Sequence, residues 1–134
     1  MQTFGIRDEE FIRGKVPMTK AEIRAMVMVK AGIRPTDRVA DIGAGTGSIS
    51  IEAALAASEG DVYSIERNPE GIRLIEENAE KFGLKNIHTI QGTAPEAMEG
   101  LPPLNVVIIG GSSGNMHAIL DRAEELLPKG GRMV

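Results

Sequence analysis

The 134-residue chain contains no cysteine and no tryptophan. Without cysteine there are no disulfides, thiolate nucleophiles or cysteine-ligated metals. Histidine is limited to His88 and His117, too few for a zinc site without carboxylate help, and no metal is expected. The only aromatic residues are Phe4, Phe11, Tyr63 and Phe82, so stacking platforms for nucleic-acid bases are not expected. Positive charge is also short. The net charge is −4, whereas phosphate binding depends on excess Lys and Arg, so nucleic acid is not an expected partner. No apolar run nears the roughly 20 residues a membrane helix needs. The opening MQTFGIRDEEFIRG has no apolar core of the signal-peptide kind. The expectation is a cytoplasmic protein without membrane contact, folded as a single domain over residues 1–134.

Glycine is abundant, with 16 residues, and it punctuates a regular alternation of strand and helix. The polar first 16 residues predict an N-terminal arm (residues 1–18) rather than core. Thr19-Lys-Ala-Glu22 has the form of a capping box with Thr19 as N-cap, and the helix it opens should run from Lys20 to Ala31. Strands are expected at Arg38–Ile42, Asp61–Ile65, Asn86–Ile90 and Asn105–Ile109, the last fully apolar as in the interior of a parallel sheet. Between them lie helices Ser48–Ala57 and, after Asn68 as N-cap and Pro69 at N1, a helix through Phe82. A helical turn at Ala94–Met98, a helix over 115–127 and a fifth strand beginning at Gly130 complete the chain. The alternation predicts an α/β, Rossmann-like fold, an open, mainly parallel twisted sheet with helices on both faces. Ligands of such sheets bind beyond the carboxyl ends of the strands.

The loops at those ends carry the candidate site. Asp41-Ile-Gly43-Ala44-Gly45-Thr46-Gly47 follows the first strand. Its glycines allow a tight turn and close approach of a ligand. The spacing is G-x-G-x-G, with Ser48 where a dinucleotide fingerprint has its third glycine. It resembles the nucleoside-binding loop of class I S-adenosylmethionine-dependent methyltransferases more than a pyrophosphate cradle. Glu66 ends the second strand 21 residues after Gly45, where an acid can accept from both ribose hydroxyls. Asp41 can hold the glycine loop or meet a ligand ammonium through water. Thr93 and Ala94 follow the third strand, where an adenine edge would lie. The other reading of Thr93 is a helix N-cap before Pro95. Gly110-Gly111-Ser112-Ser113-Gly114 lacks the acid or Asn, paired prolines and aromatic of methyltransferases acting on base amines. It is open to a bulky substrate, or is a plain connector. His117 can act as an acid/base group, bind a substrate carboxylate, or be a surface histidine, and His88 reads as structural.

Gly5-Ile-Arg-Asp-Glu-Glu-Phe11, Val16-Pro-Met-Thr-Lys20, Asp41 to Ser48, Ile65-Glu-Arg-Asn68, Gly92-x-Ala-Pro-Glu96 and Ile109-Gly-Gly-Ser112 together closely resemble the decarboxylating cobalt-precorrin-6B C15-methyltransferases of cobalamin biosynthesis. They resemble equally the matching domain of fused precorrin-6Y C5,15-methyltransferases. The resemblance covers nearly the whole chain. It implies S-adenosylmethionine as cofactor and S-adenosylhomocysteine as product, with Thr19, Gly43 to Gly47, Glu66 and Ala94 contacting it. It implies methylation of C15 of an anionic corrinoid, with loss of carbon dioxide from the C12 acetate. It also implies a homotetramer and a C5-methyltransferase partner, fused or separate. Thr93 stands where the family commonly has Asp, which weakens an expected adenine contact. Arg13, Lys15, Lys20 and Arg24, against Glu22 alone, give residues 11–24 a local charge of +3. This segment can recognise substrate carboxylates or be a solvated arm. Class I sheets have seven strands, so strands six and seven are expected to be absent and the chain a fragment. A methyltransferase for another small molecule, RNA or protein, a nucleotide-binding oxidoreductase and a non-catalytic S-adenosylmethionine-binding domain are the alternatives.

Overall fold

The computed structural model describes residues 5–112 and 114–134; Met1 to Phe4 of the expected arm, and Ser113 of the second glycine-rich loop, lie outside the described residues. Five strands, β1 (Arg38–Ile42), β2 (Asp61–Glu66), β3 (Ile87–Gln91), β4 (Val106–Ile109) and β5 (Arg132–Met133), form one sheet in the order β3-β2-β1-β4-β5. Every pairing is parallel. The order reverses between β1 and β4, and that switch point opens a crevice at the carboxyl edge. Helix α1 (Ala21–Ala31) precedes β1; helices α2 (Ser48–Ala56), α3 (Pro69–Lys81) and α4 (Met116–Leu126) make three of the crossovers, and a 3-10 turn at Glu96–Met98 lies in the fourth, between β3 and β4. No helix among the described residues is long and apolar enough to cross a membrane.

Strand periodicity divides the core between the two faces. Ala40, Ile42, Ile65 and Val107 pack with Met98, Ile119, Ala123 and Leu126 on one face. Val39, Val62, Val106 and Ile108 pack with Met28, Ala31, Ile49 and Ala53 of α1 and α2 on the other. Helices therefore cover both faces, as the alternation predicts. The α3 N-terminus is also as expected: the Asn68 side chain accepts from Glu70 N–H, with proline in the first turn. Gly32 ends α1 in the left-handed region and donates to Met28 O.

The expected N-terminal arm is corrected by the structure. Ile6, Phe11 and Val16 are buried, and Ile6 and Phe11 form a third core with Ile51 and Leu55 of α2. Residues 5–19 are thus a strap lying across α2 and α3. The polar residues around them misled the composition argument, because the strap's anchors are spaced singly rather than in a run. α1 departs from an ordinary amphipathic helix: it buries Met28 and Ala31, but its remaining positions do not follow the pattern. Arg24 is fully buried, whereas Ile23, Met26 and Val29 are exposed at 53%, 57% and 74%. Every nitrogen of the buried guanidinium has a partner. Nε donates to Glu52 of α2, one terminal nitrogen to Thr19 O, and the other to Ile6 O and Asp8. Its plane lies over the Phe11 ring at 4.7 Å. Arg24 is therefore withdrawn from any role with substrate. The Thr19 N-cap is also corrected: Lys20 occupies the N-cap position and no side chain caps α1. Arg24 takes the Thr19 carbonyl instead.

Candidate functional site

A cleft of about 530 Å³ lies at the switch point, within the range of small-molecule sites. Its walls are Val16 to Thr19 from the strap, Asp41 to Gly45 after β1, Glu66 to Asn68 after β2, Gly92 to Ala94 after β3, and Gly110 to Ser112 after β4, with Ile49, Ile65 and Ile119 behind them. Four strand ends thus converge, as parallel topology requires.

Two glycines show why this loop sequence is needed. Gly43 has φ +72°, and a Cβ there would fall 2.6 Å from Gly111 N. The two glycine-rich loops are therefore in backbone contact, and both Gly110 and Gly111 donate to Ile42 O. Gly45 has φ +60°, and its Cβ would fall 2.9 Å from Pro17 O. The strap and the glycine loop touch there.

Glu66 is 9% exposed. Its Oε1 accepts from Gly45 N–H at 2.8 Å and its Oε2 from Asn68 N–H at 2.9 Å. A carboxylate oxygen has capacity for a second donor, so both can still accept ligand hydroxyls. Gly71 of α3 brings the helix against this carboxylate: a Cβ there would meet Glu66 Cγ at 2.7 Å. Asp41, 1% exposed, accepts from Ser50 Oγ at 2.6 Å, and Ser50 lies 2.6 Å from Ser64 Oγ. Since Ser50 has one proton and gives it to Asp41, Ser64 is the donor to Ser50. Burial pushes the Asp41 carboxyl up from an ordinary 3.8 to about 6, with the Ser50 hydroxyl opposing and the Glu66 charge adding to the rise.

Of the residues singled out by sequence, Thr19, Asp41, Gly43, Ala44, Gly45, Glu66, Thr93, Ala94, Gly110, Gly111 and Ser112 line this cleft. Thr46 and Gly47 stand behind it, Thr46 buried and Gly47 as the left-handed N-cap of α2. Thr93 is not an N-cap side chain. The turn after it is a 3-10 helix at Glu96–Met98 with Pro95 at its N-cap, and Thr93 contributes only its carbonyl, to Ala97 N–H. Ala94 is buried, and its N–H has no acceptor among the described residues. Arg13, Lys15, Lys20 and His117 are exposed and outside the lining. His88 is half-exposed on β3, bonded to Asp61 at 2.8 Å and stacked on Tyr63. Sequence reasoning missed Arg67 and Asn68, which line the cleft directly after Glu66. It also missed Gly71, whose place inside a helix was a usable signal of close packing.

The cleft fits S-adenosylmethionine in chemistry as well as size. Glu66 presents carboxylate oxygens that can each take a further donor, the Ala94 N–H has no acceptor among the described residues, Asp41 is a buried acid, and two glycine-rich loops flank the cleft.

Comparison with known proteins gives the same direction. The precorrin methyltransferase domain, as a sequence family, matches residues 10–134. A cobalt-precorrin-6B C(15)-methyltransferase (decarboxylating) of Salmonella typhimurium is 43% identical over 130 residues, covering 96% of this chain and 67% of that protein. A probable enzyme of the same name from Sulfolobus acidocaldarius is 42% identical over 137 residues, covering 100% of this chain and 71% of that protein. The crystal structure of precorrin-6y C5,15-methyltransferase from Geobacter metallireducens superposes with a TM-score of 0.91 at 36% identity, covering 97% of this chain and 70% of that one.

Proposed function

This chain belongs to the precorrin methyltransferase domain family, and on that premise we propose that it methylates C15 of precorrin-6B, or of its cobalt form, with decarboxylation of the C12 acetate. The observation that carries the cofactor part of this reading is the bond from Gly45 N–H to Glu66 Oε1 at the switch-point cleft, and the substrate part rests on the likeness to the cobalt-precorrin-6B C15-methyltransferases. That bond ties the glycine loop to an acid in the position a nucleoside ribose requires. S-adenosylmethionine supplies the electrophilic methyl group when bound.

The residues of this chain bind, orient and exclude water. Glu66 accepts from the ribose hydroxyls. The Ala94 N–H donates to the adenine ring, and Thr93 lies beside it. Asp41 would meet the ammonium end of the cofactor through water. Gly43, Gly110 and Gly111 would leave room in the cleft for the macrocycle beside the cofactor, and Thr19 and Ser112 line the same cleft. The two carboxyl groups of the cleft, Asp41 and Glu66, are both given to the cofactor in this reading, which suits a reaction driven by positioning. Arg13, Lys15 and Lys20 have no side-chain partner among the described residues and are exposed. They supply the positive charge that an anionic corrinoid approaching the cleft requires. The same reading carries a cytoplasmic homotetramer working with a C5-methyltransferase, fused or separate.

The test is mass spectrometry of precorrin-6B, with and without cobalt, after incubation with the chain and S-adenosylmethionine. The expected product has gained one methyl and lost carbon dioxide, only when the cofactor is present. Tight binding of S-adenosylhomocysteine with no product from either substrate would overturn the substrate assignment and leave the cofactor site standing.

A further inference from the structure

Asn78 lies in the last part of α3, outside the cleft lining, and is fully buried. Its amide makes three bonds. Oδ1 accepts from Ile12 N–H at 2.7 Å, and Nδ2 donates to Ile12 O at 3.1 Å and to Thr46 O at 3.1 Å. One side chain therefore joins the strap to the glycine loop. The contacts around it run the same way. Pro17 O of the strap lies against Gly45, and Ile75, one turn before Asn78, lies under Gly47. The Thr46 hydroxyl is buried with no partner, so the side chain of Thr46 does not anchor the loop and its backbone is held from Asn78. A buried amide suits this joint because it offers an acceptor and two donors in one plane. An apolar residue would leave the Ile12 N–H and carbonyl unpaired, at a cost that favours local opening.

We propose that Asn78 is a positioning residue, which sets the glycine loop from the strap so that the affinity of the cleft for its nucleoside ligand depends on the strap being docked. The affinity part rests on the cofactor reading above; the joint itself does not. By reciprocity, a ligand that orders the loop also holds the strap down.

Hydrogen exchange of the folded chain, with and without S-adenosylhomocysteine, tests both parts. In Asn78→Ala, amides of residues 10–19 and 43–48 are expected to exchange about tenfold faster or more through local opening, with β4 and α4 unchanged. The dissociation constant for S-adenosylhomocysteine is expected to rise about tenfold. Asn78→Asp keeps the acceptor for Ile12 N–H but sets a carboxylate oxygen against two carbonyls; it moves the same peptides the same way and serves if the alanine variant does not fold. Lys81→Ala removes the Lys81 bond to Glu10 O and loosens the strap there without reaching the loop. Strap exchange that rises in the Asn78 variants while residues 43–48 stay as in the parent would overturn the joint, and so would uniform acceleration over the whole sheet. A faster loop with unchanged affinity would overturn the positioning role. If the parent does not bind S-adenosylhomocysteine, the cofactor reading falls and the exchange of residues 43–48 alone decides the joint.

Discussion

The Gly45 N–H donates to Glu66 Oε1 across 21 residues of sequence, at 2.8 Å. The other oxygen of the same carboxylate accepts from Asn68 N–H, so this one side chain sets the loop after β1 and the entry to α3. Glu66→Ala removes the ribose acceptor and leaves two N–H groups without their partner. The expected outcome is S-adenosylhomocysteine binding weakened by about 1–3 kcal/mol, together with a lower unfolding midpoint. Glu66→Gln retains one acceptor and should fall between. Titration calorimetry on the folded variants reads the affinity, and an unchanged value for Glu66→Ala would remove the ribose assignment.

Gly43 and Gly111 face each other, but they are not equivalent. At Gly43 an added Cβ meets backbone at 2.6 Å with φ +72°, whereas at Gly111 it comes no closer than 3.9 Å to Gly43 Cα. Gly43→Ala should therefore destabilise the fold by about 1–3 kcal/mol from the strained dihedral alone, with a further clash cost, and should abolish ligand binding. Gly111→Ala should fold as the parent does and bind S-adenosylhomocysteine within a few-fold. Thermal unfolding of the two variants separates them, and equal losses would mean that the loop contact is not as described.

Arg24 and Glu52 form an ion pair with both side chains completely buried. Arg24→Met leaves the Glu52 charge uncompensated, and the carbonyls of Ile6 and Thr19 without their donor. The expected loss is about 3–5 kcal/mol, the range for breaking a buried pair. The double variant Arg24→Met with Glu52→Met should lose less than the sum of the two single variants. Urea unfolding followed by circular dichroism checks this. Losses below about 1 kcal/mol would match an exposed pair instead and would contradict the buried placement.

The sheet, its connections and most of the cleft were legible because their signals are local. Glycine runs follow strands, Asn68-Pro69 opens a helix, and an acid ends β2. The strap was not legible, because its anchors are long-range. Arg24 pairs with Glu52 28 residues on, and Asn78 bonds Ile12 66 residues back. No periodicity in the first 20 residues announces either pairing. Thr19 shows the opposite failure. Its sequence has the form of a capping box, but the buried guanidinium takes its carbonyl and Lys20 becomes the N-cap. Tertiary charge burial outweighed a local rule there. Arg67 and Asn68 lie within a motif, but Asn68 already has a local role as a helix N-cap and nothing in the motif marks either as cleft lining.

Asp41 makes pH the most informative variable. Its carboxyl is raised from 3.8 to about 6, chiefly by burial. Between those values the folded chain holds a proton that the unfolded chain has released. The stability this group contributes is thus present at low pH and is lost as pH rises through about 6. A shift of about two units corresponds to about 3 kcal/mol. Other carboxylates slope the opposite way, so the comparison is with Asp41→Asn, in which this component is absent and the urea midpoint falls less between pH 4 and 6. The ligand has the reverse effect. A cationic ammonium beside Asp41 favours its ionised form, so binding below pH 6 must expel the proton. The affinity for S-adenosylhomocysteine should therefore rise by up to about tenfold per pH unit between about pH 5 and 6, and level off near 7. Calorimetry in two buffers of different ionisation enthalpy measures the released proton directly, and Asp41→Asn should show neither the release nor the slope. A parent affinity flat from pH 5 to 7 would mean that the ammonium lies elsewhere, and would leave Asp41 with only its bond to Ser50.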